Sequence, residues 1–295
     1  MTGAPTLELH DASLRRAGST LSPALSFSSS AQRVGLVGDW EPWFQLLVGN
    51  AQLATGSARV LGCDLDAALR RGVLGFAACD PLLPASFTVT QYLQHAARLS
   101  HGSAARAAHD ATSALDRYGL ADLAARPLTR LALHQKRALG VALATLTAPP
   151  VVCLEAPLRG LDALAADYMA RLCAEAARHS RVIISAPYPE SPSPERALLD
   201  ACDELFLLER GVLAVQGTPA SIFAPSGRYS LTVSGENVTA FSRALHEAGC
   251  VLTPYSQAGE YAVELPAPVS TDLLLDTALD HGVVVLALEP VFAAL

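Results

Sequence analysis

The sequence predicts an α/β fold for residues 1–225 and a small α+β domain for residues 228–295. Three observations predict it. Short apolar runs at Val34–Val37, Val151–Leu154 and Val182–Ile184 each lead into charged or turn-forming residues and then a helical pattern, as buried strands of a strand-turn-helix sheet do. Ala138–Leu154, an uncharged run as long as any in the chain, is interrupted by Pro149-Pro150, so it reads as a helix followed by a buried strand and not as a membrane span. After Pro225-Ser226-Gly227 the pattern changes to alternating strands around helices.

Composition bounds the function. A chain of 295 residues, 51% hydrophobic, can build one large and one small domain with a sizeable core. The mean hydropathy of +0.30 is high, yet no segment reads as membrane-spanning. A net charge of -7 without a basic run argues against nucleic acid as a partner, because phosphate neutralisation needs clustered Lys and Arg. Cys63, Cys79, Cys153, Cys173, Cys202 and Cys250 show no CxxC or His-paired spacing. They read as reduced thiols of a cytoplasmic protein, with neither a disulfide frame nor a metal site. The N-terminus has no basic segment leading into an apolar one, so no secretion signal is expected.

In chain order, Leu7-Glu8-Leu9 opens as a strand. Arg33–Gly38 is a second strand, entering Asp39-Trp40-Glu41-Pro42-Trp43-Phe44-Gln45, and Leu46–Gly49 closes the short helix that follows. Gly75-Phe76-Ala77-Ala78-Cys79-Asp80-Pro81 ends another strand. Residues 81–145 are helical in pattern, with Ala-rich Ala104–Ala114 and a helix that starts at Leu131-Ala132-Leu133-His134-Gln135. Lys136-Arg137 reads there as a solvated basic pair. Val151–Leu154 runs into Glu155-Ala156-Pro157-Leu158-Arg159-Gly160-Leu161-Asp162, and Val182–Ser185 runs into Ala186-Pro187 and a proline-rich loop to Pro194. Asp203–Pro219 reads as a hairpin. Beyond Gly227, strands at Tyr229–Val233 and Tyr261–Leu265, helices at Val238–Ala248 and Thr271–His281, and a strand at Val283–Leu288 give a βαββαβ-like order ending in Glu289-Pro290-Val291-Phe292.

These segments resemble, in order, the motifs of ATP-binding cassette (ABC) transporter ATPases, a P-loop NTPase-type fold with a helical subdomain at about 81–145. Val151–Asp162 is similar to the Walker B strand and D-loop. The resemblance implies two adjacent carboxylates after that strand, one for Mg²⁺ and one to activate water; this chain has Glu155-Ala156. The phosphate loop of the family carries glycines, Lys and Ser/Thr. The matching Gly38, Asp39, Trp40, Glu41, Pro42 and Trp43 are about four residues shorter than that template and lack all of these after Gly38. Two carboxylates there would repel a triphosphate by about 4 kcal/mol per close pair at an effective dielectric near 20. Cys79 stands where the Q-loop glutamine is expected, and a thiol is a poor ligand for a hard cation. Leu131, Ala132, Leu133, His134 and Gln135 stand for the signature Leu-Ser-Gly-Gly-Gln. Pro187 occupies the switch-histidine position. Gly160, Leu161 and Asp162 keep the D-loop, which the resemblance places at a dimer interface. The C-terminal unit looks like the appendage of ATPases that serve ABC-2-type exporters.

The resemblance implies a subunit without catalytic residues, cofactor or metal: a pseudo-ATPase and not an enzyme. Its expected partners are an ABC-2-type transmembrane permease and a competent ATPase subunit, or an accessory component, at the inner face of the cell membrane. Phe87 and Tyr92 are expected at the permease contact. Two other functions compete with this one. The first is a weak or reshaped nucleotide hydrolase that uses Glu155 with Asp39 or Glu41, and the second is a binding module with a pocket lined by the tryptophans.

Overall fold

A computed structural model describes residues 4–16, 19–20, 22–189, 193–209, 211–223, 227–254, 259–266 and 270–291. The chain divides into two compact units, Met1–Pro219 and Ala220–Leu295. The Pro225-Ser226 break, Glu190-Ser191-Pro192 of the proline-rich loop and Phe292 of the closing run lie outside the described residues.

In the first unit, β1 (Leu7–Arg16), β2 (Ser19–Thr20) and β3 (Leu25–Ser29) precede β4 (Arg33–Gly38). β3 alternates, with Leu25, Phe27 and Ser29 inward, as in a sheet with one covered face. In β4 the run Val34–Val37 is buried without interruption, as in a parallel strand covered on both faces. Then come α1 (Glu41–Leu47), β5 (Gln52–Val60), β6 (Cys63–Asp64), α2 (Leu65–Arg70) and β7 (Leu74–Ala77). The helical segment holds α3 (Val89–His101), α4 (Ala104–Arg117) and α5 (Leu133–Thr145). α3 is closed at its start by a capping box between Thr88 and Gln91 and at its end by left-handed Gly102. β8 (Val151–Leu154), α6 (Ala163–Ala176), β9 (Arg181–Ala186), α7 (Pro194–Asp200), β10 (Glu204–Glu209) and β11 (Val212–Gly217) complete the run, and α8 (Pro219–Ile222) begins at the boundary between the units.

Two sheets result. β1 pairs antiparallel with β2, β3 and β5, and β5 with β6. The second sheet has the order β11-β10-β4-β9-β8-β7, with β10, β4, β9, β8 and β7 parallel and β11 antiparallel. Between the sheets lies an apolar core that includes Leu9, Phe27, Trp40, Phe44 and Phe206. α5 packs directly on β7, because Gly75 has no side chain: a Cβ there would collide with the carbonyl of Ala144. The register aligns Ala77, Leu154 and Ile184 across β7, β8 and β9, and Val37 with Ala186 across β4 and β9. The carboxyl ends of four parallel strands therefore finish along one edge, the edge at which open α/β sheets take their ligands.

The second unit is β12 (Arg228–Ser234), α9 (Val238–Glu247), β13 (Val251–Pro254), β14 (Glu260–Glu264), α10 (Thr271–Asp280) and β15 (Val284–Val291). Its antiparallel sheet has the order β13-β14-β12-β15. Leu231, Val233 and Val263 pack with Phe241 and Leu245 of α9 and Leu274 of α10. Val251–Pro254 is the strand that the sequence pattern does not locate individually, since it is short and ends in Thr-Pro.

Candidate functional site

The loops after β4, β7, β8 and β9 enclose a cleft of about 650 Å³. Gly38, Asp39, Glu41 and Gln45 form one wall; Cys79, Asp80 and Leu82 form another; Glu155, Ala156, Arg159, Ser185 and Pro187 complete it. The topology thus brings the residues matched to the phosphate loop, Q-loop, Walker B strand and switch position into one site.

The β4 wall is set by local chemistry. Gly38 turns the chain at φ +93, with the carbonyl of Leu208 where a Cβ would stand. Trp40 and Trp43 turn away from the cleft into the core, at 1% and 3% exposure. The Trp40 Nε1–H donates to the Phe206 carbonyl at 3.1 Å, and the ring meets Phe27 edge-on at 5.7 Å. The tryptophan-lined pocket is therefore corrected: the indoles are core, because Phe206 offers a buried acceptor to the indole N–H and aromatic partners surround the ring. Pro42 lies in the first turn of α1, where a missing N–H leaves no helix bond unmade.

The opposite wall is polar. Glu155 follows β8, its carboxylate accepting from the Cys79 amide at 3.2 Å. Burial pushes the Glu155 pKa up, and Glu41 and Asp80 add to the rise; the Cys79 hydrogen bond and Arg159 oppose it. Ala156 takes a left-handed φ of 38, and its amide donates to Ser185 Oγ at 3.0 Å. A non-glycine residue in that region costs about 1–3 kcal/mol, and the Ser185 hydrogen bond offsets part of it. Cys79 is buried at a polar junction, where its amide, carbonyl and thiol all have partners. Burial raises its pKa while Arg137 pulls the other way. All six cysteines are free thiols.

Arg137 departs from the solvated-pair reading. It is 3% exposed, and its guanidinium donates to the carbonyls of Cys79, Pro157 and Arg159. Sequence reasoning also passed over Arg159, Asp80 and Ser185, which line the cleft. Arg159 had one usable signal, its place between Pro157 and the Gly160-Leu161-Asp162 segment.

The remaining residues lie outside the cleft. Leu131 is buried. Gln135 caps α5 by accepting from the Ala132 amide at 3.0 Å. His134 meets the Tyr168 ring edge-on at 6.1 Å. Gly160 is exposed, Leu161 is half-buried and Asp162 is exposed. Asp162 Oδ1 accepts from the Ala165 amide at 2.9 Å, capping α6. Phe87 and Tyr92 are half-buried with ring centroids 5.9 Å apart.

Comparison with solved structures returns one architecture. A structure of an ATP-binding subunit of an ABC transporter aligns with a TM-score of 0.61 and 19% identity, over 73% of this chain and 90% of that one. The fold is that of an ABC transporter ATP-binding subunit. CbiO1 from Clostridium perfringens, part of the ABC transporter complex CbiONQ, aligns at 0.63 and 20% identity, over 83% of this chain and 98% of that one. A bacterial Atm1-family ABC exporter with ATP bound aligns at 0.60 and 18% identity, over 74% of this chain and 39% of that one. No family model matches the sequence. No curated protein matches it either.

These neighbours overturn the expectation that the chain is no enzyme. The ABC fold they share serves ATP-binding subunits, and the exporter holds ATP. The physical reason lies in the cleft. The space at the strand ends stays open and presents Glu155, Ser185 and Arg159. Among the described residues, no helix is long and apolar enough to cross a membrane.

Proposed function

We propose that this chain is the ATP-binding-type subunit of a membrane exporter. It sits on the inner face of the cell membrane against an ABC-2-type permease and pairs with a second, competent ATPase subunit. One observation carries this reading. The loops matched to the phosphate loop, Q-loop, Walker B strand and switch position meet at one sheet edge, while the Gly160–Asp162 segment stands at the head of α6. The shared fold supports it by analogy, as does the description of CbiO1 as part of a transporter complex. The permease contact is assigned to the half-buried Phe87 and Tyr92. Co-expression with the permease tests it: Tyr92→Asp is expected to release the chain from membranes with an unchanged melting profile. Retention of that variant on the membrane would sink the placement.

A second reading, a reshaped nucleotide hydrolase that drives transport, is favoured by Arg159 on the cleft wall near Glu155. The guanidinium supplies a cation for phosphate that the β4 loop lacks. A carboxyl with a raised pKa suits proton transfer. Titration with millimolar Mg²⁺-ATP by calorimetry checks it, with weaker binding expected for Arg159→Ala. Absence of heat in the unaltered chain excludes this second reading and leaves the transporter role untouched.

A further inference from the structure

Arg137 carries a charge into the interior, and its one ion pair among the described residues is a long one to an exposed carboxylate. Its Nε–H donates to the Cys79 carbonyl at 2.7 Å, and Nη1 donates to the Arg159 carbonyl at 2.6 Å and the Pro157 carbonyl at 3.3 Å. Nη2 meets Cys79 Sγ at 3.3 Å. The nearest carboxylate, Asp80, is 3.8 Å away and 80% exposed. A buried guanidinium is costly unless its donors are satisfied. Here satisfaction comes from main-chain oxygens of two loops that are separate in sequence, after β7 and after β8. If either loop moved alone, the cation would be left half-solvated by protein. The planar fork is what allows one side chain to span both; a lysine ammonium presents its donors from a single point.

We propose that Arg137 is a positioning residue that locks the Cys79–Asp80 segment to the Pro157–Arg159 segment, so that the two loops move as one body. The first segment lines the cleft and leads toward Leu82 and Phe87; the second leads into Gly160-Leu161-Asp162. A displacement at the cleft wall is then delivered to the head of α6 without passing through the sheet. The identity of the partners on the two sides rests on the proposed function, whereas the lock does not.

The test uses the purified full chain. Hydrogen exchange is followed at the Cys79, Arg159 and Leu161 amides, which donate to Glu155, Ala156 and Leu158. Arg137→Met should speed exchange at all three together by about tenfold or more, since buried acceptors lose their donors. The strands β1 and β10 should be unchanged. Arg137→Gln, which keeps a neutral N–H₂ donor but lacks the fork, serves where the methionine variant does not fold, with the same expectation. The decisive arm reads the coupling itself. Cys79→Val, which sets a branched side chain against the guanidinium in the loop after β7, should accelerate exchange at Arg159 and Leu161 when Arg137 is present and leave them unmoved in the Arg137 variants. Acceleration confined to one loop, or an effect of Cys79→Val that persists without Arg137, overturns the lock. Both arms run without permease or nucleotide, so failure of the transporter reading leaves their outcome distinct.

Discussion

The two walls of the cleft are held by opposite physics. The β4 wall is anchored by apolar burial: Trp40, Trp43 and Phe44 leave the cleft and fill the inter-sheet core, and Gly38, Asp39, Glu41 and Gln45 are among the residues that line the cleft. The β7–β8 wall is held by polar bonds from Arg137, Glu155 and Ser185 to main-chain atoms. Nonpolar anchoring is non-directional and proportional to buried area, so it fixes one loop rigidly against the sheet. Hydrogen bonds to main-chain atoms are directional and can link two loops to each other. Where a cleft has one wall of each kind, the polar wall is the one suited to transmit motion.

The largest way to break this contrast is Trp40→Ala. The variant loses a fully buried indole, its edge-on contact with Phe27 and its hydrogen bond to Phe206, and should be destabilised by about 3–5 kcal/mol in urea unfolding. Leu82→Ala, on the same cleft but 98% exposed, should stay within about 0.5 kcal/mol. Comparable losses in the two variants would mean that the β4 wall is not anchored in the core.

Much of this was legible in the sequence. Short apolar runs ending at turn residues marked β4, β8 and β9, and the cleft lies at their ends. The Pro149-Pro150 break separated α5 from β8. What could not be read was where a side chain finds a remote partner. Trp40 and Trp43 stood in a loop position, and their burial depends on Phe206, far along the chain. Lys136-Arg137 looked like any basic pair on a helix. The burial of Arg137 depends on carbonyls at Cys79, Pro157 and Arg159, which become available only after β7 and β8 pair and α5 packs against them. The Glu155-Ala156 pair was legible at the end of β8, but the left-handed backbone of Ala156 and its Ser185 hydrogen bond were not.

A smaller effect sharpens the polar side. Asp162 caps α6 directly after the segment that Arg137 holds. Asp162→Ala should cost about 1 kcal/mol, the usual loss for an N-cap, measured by thermal or urea unfolding. If Arg137 and Asp162 act on one rigid segment, the double variant with Arg137→Met should lose less than the sum of the two single variants. Strict additivity would place the cap outside the locked body.

The smallest expected effect has a definite sign. The Glu155 carboxyl has a folded pKa above 4.5 because burial penalises its charged form, so the folded chain holds that proton more tightly than the unfolded chain does. Its contribution to stability is fully present below about pH 4.5 and is lost as pH rises through the folded value. Glu155→Gln does not titrate and keeps a side-chain carbonyl for the Cys79 amide. Relative to the unaltered chain it should therefore gain stability as pH rises from about 4.5 toward neutrality. Urea unfolding of both proteins across that window measures the difference. A gain that grows with pH makes burial the dominant force on this carboxyl. A loss that grows with pH means that the Cys79 amide and Arg159 outweigh burial, and that the β7–β8 wall favours an anionic Glu155 as part of its bracing.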